Sequence, residues 1–254
     1  MSRATGENKQ NLQVRHTSSS GRSSLTTLRR AVHAFGIIFY SLHKALFFAL
    51  LPAVLYSGCT VLPPEEDRTR FIMLASTIPD PSDNAPTIAN PKLTSLAIGV
   101  GPVKLPQYLD RPELVIHSSP NGFDVSETNS WAEPLAQNFS HILANDLTNL
   151  LGTTNMVEYP WYPRTRLEYT VRVEVERFEI DTNQNAELVA RWELRAPAND
   201  QVVSSHEAQF SRPLTSVAGD AAAGGLSDDV AQLAKQIASA IIQAEQQRLA
   251  RGPR

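Results

Sequence analysis

Between Leu167 and Glu176 apolar and polar residues alternate without a break. Leu167, Tyr169, Val171, Val173 and Val175 stand against Glu168, Thr170, Arg172, Glu174 and Glu176. Successive side chains of a strand point to opposite faces, so this strict period of two predicts a strand with one buried and one wet face. The phase flips at Arg177-Phe178, which predicts a bulge. After a turn over Asp181–Asn185 the alternation resumes at Leu188, Ala190, Trp192 and Leu194. Pro197–Asp200 turns the chain once more, into a third strand over Val202–Phe210. The three strands form an antiparallel meander, with Glu174, Glu176 and Glu179 on its solvated side.

Two segments carry helical spacing instead. Leu135, Phe139, Ile142, Leu143, Leu147, Leu150 and Leu151 make one apolar stripe, and Gly152 follows as a stop signal. Ser130 and Glu133 have the spacing of a capping box, and Pro134 suits a first turn, so this helix is predicted over about residues 131–151. Val230, Leu233, Ala234, Ile237, Ile241 and Ala244 form the second stripe. Ser227-Asp228-Asp229 is a helix start favoured by the dipole, and the Ala/Gly stretch Ala218–Gly225 either begins this helix or precedes it.

Shorter strands are predicted at Arg70–Ala75, Leu96–Val103, Leu114–Ile116 and Asn155–Tyr159, with a short one after the Asn121-Gly122 turn. The glycines of Leu96–Val103 indicate a bulge or close backbone packing rather than a phosphate loop, because no helix with a Lys-Ser/Thr follows. Ser76–Pro91 is proline-rich and reads as a loop. The fold class is therefore α+β, an antiparallel-rich sheet with two helices packed on one face, forming a single domain over residues 70–250.

Charge separates this domain from what precedes it. Residues 1–58 carry seven Lys/Arg and one acid, a net of +6, and the rest of the 254-residue chain carries 16 and 25, a net of −9. Ala45–Tyr56 is apolar and uncharged, too short to span a bilayer alone, and fits the core of an export signal. Extending it upstream would bury His43 and Lys44, so a permanent inner-membrane signal anchor ranks second. The chain has one cysteine, Cys59, directly after this core, which excludes a disulfide framework and a cysteine-built zinc cluster. The overall net charge of −3 argues against nucleic acid as a partner.

Little in the domain points to chemistry. His117, His141 and His206 lack metal-type neighbours, and Asp146 lies five positions from His141. Trp131, Trp161 and Trp192 read as core rather than as a ligand platform. No nucleophile, base and oxyanion donor converge, so the domain is predicted not to be an enzyme, and no cofactor or metal is expected. Tyr108, Leu109, Asp110, Arg111 and Pro112 differ. They lie in a loop bounded by Pro106 and Pro112, and such restraint lowers the entropic cost of presenting side chains to a partner; the equal alternative is that Asp110 and Arg111 only cap and pair locally.

Leu55-Tyr56-Ser57-Gly58-Cys59-Thr60 resembles the lipobox of bacterial lipoproteins, with Tyr56 where leucine is usual. That resemblance makes 1–58 a basic segment and signal peptide, Cys59 the lipidation site and 59–69 a lipidated tether. Thr60, in place of an aspartate, implies delivery to the outer membrane.

The run Ile98-Gly-Val-Gly-Pro-Val-Lys-Leu-Pro-Gln-Tyr-Leu-Asp-Arg-Pro-Glu-Leu-Val115 closely resembles the signature of the PqiC/YmbA family of ABC-type transport auxiliary lipoproteins. Trp131-Ala-Glu-Pro-Leu135, Tyr159-Pro-Trp161, Tyr169–Phe178, Trp192-Glu-Leu194 and Leu226-Ser227 follow in the family's order, over about residues 70–245. Ser130 departs from the arginine usual there. The resemblance implies a non-enzymatic envelope lipoprotein that partners an MCE-domain protein, docks its lipid-conducting assembly at the outer membrane, and contacts it through Tyr108–Pro112. A homo-oligomeric ring is compatible with such a tether, and nothing in the sequence counts subunits. The competing reading is a stand-alone periplasmic lipoprotein that binds a lipid or glycan fragment.

Overall fold

The computed structural model describes residues 66–80, 91–217 and 219–251, with Lys44 as an isolated position. The signal segment, Cys59 and the first part of the tether lie outside the described residues, as do residues 81–90 of the proline-rich loop. The described elements are β1 (Arg70–Ile72), β2 (Ile98–Lys104), β3 (Glu113–Ser119), β4 (Gly122–Trp131), α1 (Leu135–Leu151), β5 (Met156–Glu158), β6 (Tyr169–Ile180), β7 (Asn185–Ala196), β8 (Gln201–Pro213) and α2 (Gly219–Ala250). A single helical turn at Pro91–Thr94 and a 3-10 turn at Gln107–Leu109 complete the list of helical segments.

The strand with the strictest alternation, β6, sits at the centre of an eight-stranded mixed sheet. One of its edges starts the predicted meander, with β6–β7 and β7–β8 antiparallel over nearly their whole lengths. The predicted bulge is present as a register shift between Val175 and Arg177. The other edge is shared end to end. β2 runs parallel to its first half, from Ile98↔Tyr169 to Lys104↔Glu174, and β3 meets its far end at Ile116↔Ile180. The Leu105–Pro112 segment must therefore bridge two strands on one edge of β6. β3 continues to β4 and β1, and β5 lies outside β2.

Both helices cover one face. Tyr169, Val171, Val173, Val175, Phe178 and Ile180 of β6 are buried beneath them, as are Leu188, Ala190, Trp192 and Leu194 of β7. Phe139 of α1 meets Phe178 edge-on with ring centroids 5.2 Å apart. The Trp192 indole N–H donates to Gln236 Oε1 of α2 at 3.3 Å. Each large apolar side chain removed from water here contributes about 1.5–3 kcal/mol. Trp131 and Trp192 are core residues, and Trp161 is half-buried. A Cβ at Gly99 would come within 2.8 Å of Leu167 Cδ1 and 3.0 Å of Trp161 Cζ3, and β2 shifts register between Val100 and Val103. The glycine-rich strand thus has both close packing and a bulge.

Three expectations are corrected. First, no capping box starts α1. Ser130 and Trp131 end β4, a strand of ten residues rather than a short one, and the helix begins at Leu135 after Pro134 without a side-chain cap. Pairing outcompetes capping: Ser130 is opposite Phe71 of β1 and Glu113 of β3, and the Trp131 amide donates to Pro112 O at 2.6 Å.

Second, of the two readings left open for the Ala/Gly stretch, the first holds: α2 starts at Gly219, and the start expected at Ser227 is the one corrected. Ser227 lies inside the helix, and its hydroxyl donates to Ala223 O at 2.7 Å. Gly225, a weak helix former, is accommodated in the helix because the close packing there leaves no room for a side chain. A Cβ at Gly225 would lie 2.3 Å from Leu214 Cδ2 and 3.1 Å from Ala186 Cβ, so this turn packs directly on β7. Third, Glu174 and Glu176 are exposed as expected, whereas Glu179 is fully buried. Among the described residues no helix is long and apolar enough to cross a membrane.

Candidate functional site

The bridge between β2 and β3 is short and held at several points. Pro106 opens a 3-10 turn in which the Leu109 amide donates to Pro106 O at 3.0 Å and the Asp110 amide to Gln107 O at 3.1 Å. Leu109 is buried and anchors the turn, whereas Asp110, Arg111 and Pro112 are exposed. Arg111 Nε lies 3.0 Å from Glu113 Oε2 at the surface. The backbone amide of Glu113 and then Arg111 hold the Glu113 carboxyl below the usual range.

Tyr108 is half-buried, and its hydroxyl donates to Glu179 Oε2 at 2.8 Å. Its ring stacks on Phe123 of β4 at 4.6 Å, and Phe123 also stacks on His117 of β3 at 4.6 Å. His117 Nδ1 lies 3.1 Å from Glu179 Oε1, within ion-pair range but off the line of a hydrogen bond. Burial first, then the adjacent Glu179 carboxylate, pushes the Tyr108 phenol well above its ordinary pKa. Glu179 points to the side of the sheet away from the helices, as its phase requires, but this cluster roofs it over.

The far end of the bridge abuts the corner between β4 and α1. Through the Pro112–Trp131 hydrogen bond, Asp110–Pro112 and Trp131–Leu135 become the two walls of one groove of about 320 Å³. Trp131 and Leu135 give it an apolar floor, and Asp110, Arg111 and Glu133 a charged rim. Buried Asn138 sets the corner. Its amide donates to Glu133 Oε1 at 2.6 Å, and its carbonyl accepts the Leu74 amide at 2.7 Å.

The sequence singles out Tyr108–Pro112, and the structure divides its roles. Tyr108 and Leu109 fasten the loop, and Asp110, Arg111 and Pro112 face the groove. Sequence reasoning did not pair this loop with Trp131–Leu135, nor assign Glu179, Phe123 or Asn138 a part. The phase flip at Arg177 was the one available signal for Glu179, and it does not reveal what lies above the strand. Cys59 is outside the described residues. His141 Nδ1 pairs with Glu158 Oε1 at 3.0 Å on the surface, and His206 packs on Trp192 at 4.9 Å. Among the described residues no group of three His, Cys, Asp or Glu side chains could hold a metal ion.

The fold and groove define an α+β domain that holds two distant loop segments as one surface. A family model described as the ABC-type transport auxiliary lipoprotein component matches residues 77–238, and the chain belongs to that family. The protein is thus a lipoprotein-family component associated with transport. Among solved structures, it is similar to a Xanthomonas campestris protein of the DUF330 family. That protein is 17% identical, with a TM-score of 0.59 over 72% of this chain and 99% of the other. An uncharacterized protein matches at 19% identity and a TM-score of 0.52, over 68% of this chain and 99% of its own. A PelC dodecamer from Paraburkholderia phytofirmans is more distant, 16% identical at a TM-score of 0.37 over 58% of this chain and 89% of its own. These likenesses concern the fold alone. No curated protein matches the chain.

Proposed function

We propose that the protein is an outer-membrane lipoprotein of an MCE/ABC-type intermembrane lipid transport system. Lipid chains on Cys59 hold it at the periplasmic face, and the domain docks the MCE-domain partner without catalysing a reaction. The observation that carries this reading is the groove itself. Asp110–Pro112, within the signature-like run, and Trp131–Leu135, a further segment that resembles the family, meet in one concave surface with an apolar floor and a charged rim. Residues 59–69 would give a tether of at most about 36–40 Å when extended.

Two measurements test it. Arg111→Ala and Ala132→Trp, at exposed groove positions, should weaken capture of the MCE-domain protein from the same cell by about tenfold, roughly 1.4 kcal/mol, without lowering Tm. Unchanged capture sinks the docking assignment. Fractionation with intact mass should find a lipidated chain beginning at Cys59 in the outer membrane, lost in Cys59→Ala. A full-length, unlipidated chain in the inner membrane overturns the outer-membrane placement.

A further inference from the structure

On the open side of the sheet a second groove, of about 360 Å³, lies between Lys104, Tyr159, Arg172, Glu174, Arg191 and Glu193. Its charges are not spent alike. The other arginines of the β6–β7 face, Arg191 of this groove among them, each have a carboxylate: Arg177 has Glu187, Arg191 has Glu176 and Glu207, and Arg195 has Glu193 and Asp200. Arg172 is opposite Glu193 in register, yet that carboxylate is held by Arg195 at 3.0 Å. Lys104 is opposite Glu174 without closing an ion pair. Among the described residues, then, Lys104 and Arg172 are two exposed cations without a partner, facing the same groove.

The third wall is aromatic. Tyr159 is 54% exposed. Its amide donates to Val100 O at 2.9 Å, and its ring meets Trp161 edge-on at 5.3 Å. Below it, Gly101 has φ +111, and a Cβ there would lie 2.8 Å from Tyr159 Cβ. The ring is therefore mounted on β2 rather than left to drift.

We propose that this groove binds an anionic polyol headgroup, of which phosphoglycerol is the simplest member. Arg172 can fork two N–H donors onto a phosphate, and Lys104 adds a point charge. The Glu174 carboxylate, opposite Arg191 in the sheet and not hydrogen-bonded to it, can accept polyol hydroxyls, and the exposed face of Tyr159 can cover the C–H side of the polyol chain. Lys104 and Arg172 against Glu174 leave one net positive charge for the anion. The proposal uses no part of the docking groove and goes beyond the docking role.

The test uses the full chain in detergent, titrated calorimetrically with glycerol phosphate, inorganic phosphate and glycerol. Glycerol phosphate should bind, and more tightly than either fragment. Lys104→Ala with Arg172→Ala should weaken it by about tenfold or more, with Arg172→Lys intermediate, because a single point charge replaces the fork. Binding should also weaken as salt is raised. Both cations are exposed, so the variants should keep the wild-type Tm, and melting curves establish that before binding is compared.

Hydrogen exchange on the chain reconstituted in phosphatidylglycerol and in phosphatidylcholine vesicles then separates the sources. Protection of the backbone around Tyr159 and Arg172 only in phosphatidylglycerol assigns the groove to a membrane headgroup. Binding of free glycerol phosphate without that protection assigns it to a soluble solute of the same chemistry. No binding of glycerol phosphate, or binding unchanged in the folded double variant, overturns the site.

Discussion

The Tyr108 hydroxyl reaches 2.8 Å down to Glu179 Oε2, a carboxylate with no exposed surface. It joins the loop that faces the Asp110–Leu135 groove to the central strand of the sheet. Hydrogen bonds to buried charges are worth about 1.5–3 kcal/mol, so Tyr108→Phe should destabilise the domain by about that amount. Removing both partners should cost less than the sum. In a double-mutant cycle with Glu179→Leu, urea denaturation should give a coupling of about 1 kcal/mol or more. Strictly additive losses would show that the pair does not act as a unit.

Asn138 is buried and is the sole partner described for the Leu74 amide. Asn138→Ala leaves that donor unsatisfied, at a cost of about 1–3 kcal/mol, and releases Glu133 at the groove corner. The Leu74 amide should then exchange hydrogen much faster than in the wild type, and partner capture should weaken together with Tm. Wild-type exchange at Leu74 would remove Asn138 from this role.

Gly101 combines φ +111 with a neighbour 2.8 Å from where a Cβ would sit. That neighbour is Tyr159 Cβ, which cannot move without β5 moving. Gly101→Ala should therefore lose about 2 kcal/mol or more, from backbone strain and overpacking together. A urea midpoint equal to the wild type would contradict the geometry.

Burial raises the Asp146 carboxyl from an ordinary 3.8 to about 6, against the opposing hydrogen bond from Ser76 and the charge of Lys235. The folded protein holds a proton there that the unfolded chain releases. This residue's contribution to stability is thus largest below pH 3.8 and is lost as pH rises to about 6 and beyond. Asp146→Asn keeps an acceptor for Ser76 and removes the titration. It should be more stable than the wild type at neutral pH by about 1–3 kcal/mol, with the advantage vanishing near pH 4. Asp229, also raised to about 6 by burial beside Arg212, adds a similar slope that the variant retains. Parallel wild-type and variant stability curves from pH 4 to 8 would contradict the assignment for Asp146.

The meander was legible because its signal is local. Alternation over Leu167–Glu176 and Leu188–Leu194 specifies both the strands and the face each residue buries, and the flip at Arg177 marks the bulge without reference to any other segment. The apolar stripe of α1 and its Gly152 stop were legible for the same reason, since helix period and a left-handed cap are read within a few turns. The misplaced ends have a common cause. Ser130 and Ser227 both satisfy a local helix-start rule, and in both cases a distant segment offered more: strand pairing with β1 and β3 for Ser130, and a close seat on β7 for the glycine-rich turn ahead of Ser227.

By itself, then, the sequence determined the α+β class, the strand phases, the two apolar helix stripes and the loop at Tyr108–Pro112. Each of these follows from the spacing of neighbours along the chain. Only the tertiary structure decided that this loop spans two strands on one edge of β6, that Glu179 is roofed by Tyr108, His117 and Phe123, and that Arg111 faces Ala132 across a groove. Those relations join residues tens of positions apart. They depend on which strand edges pair and on which buried groups find hydrogen-bond partners there, and neither is written in local periodicity.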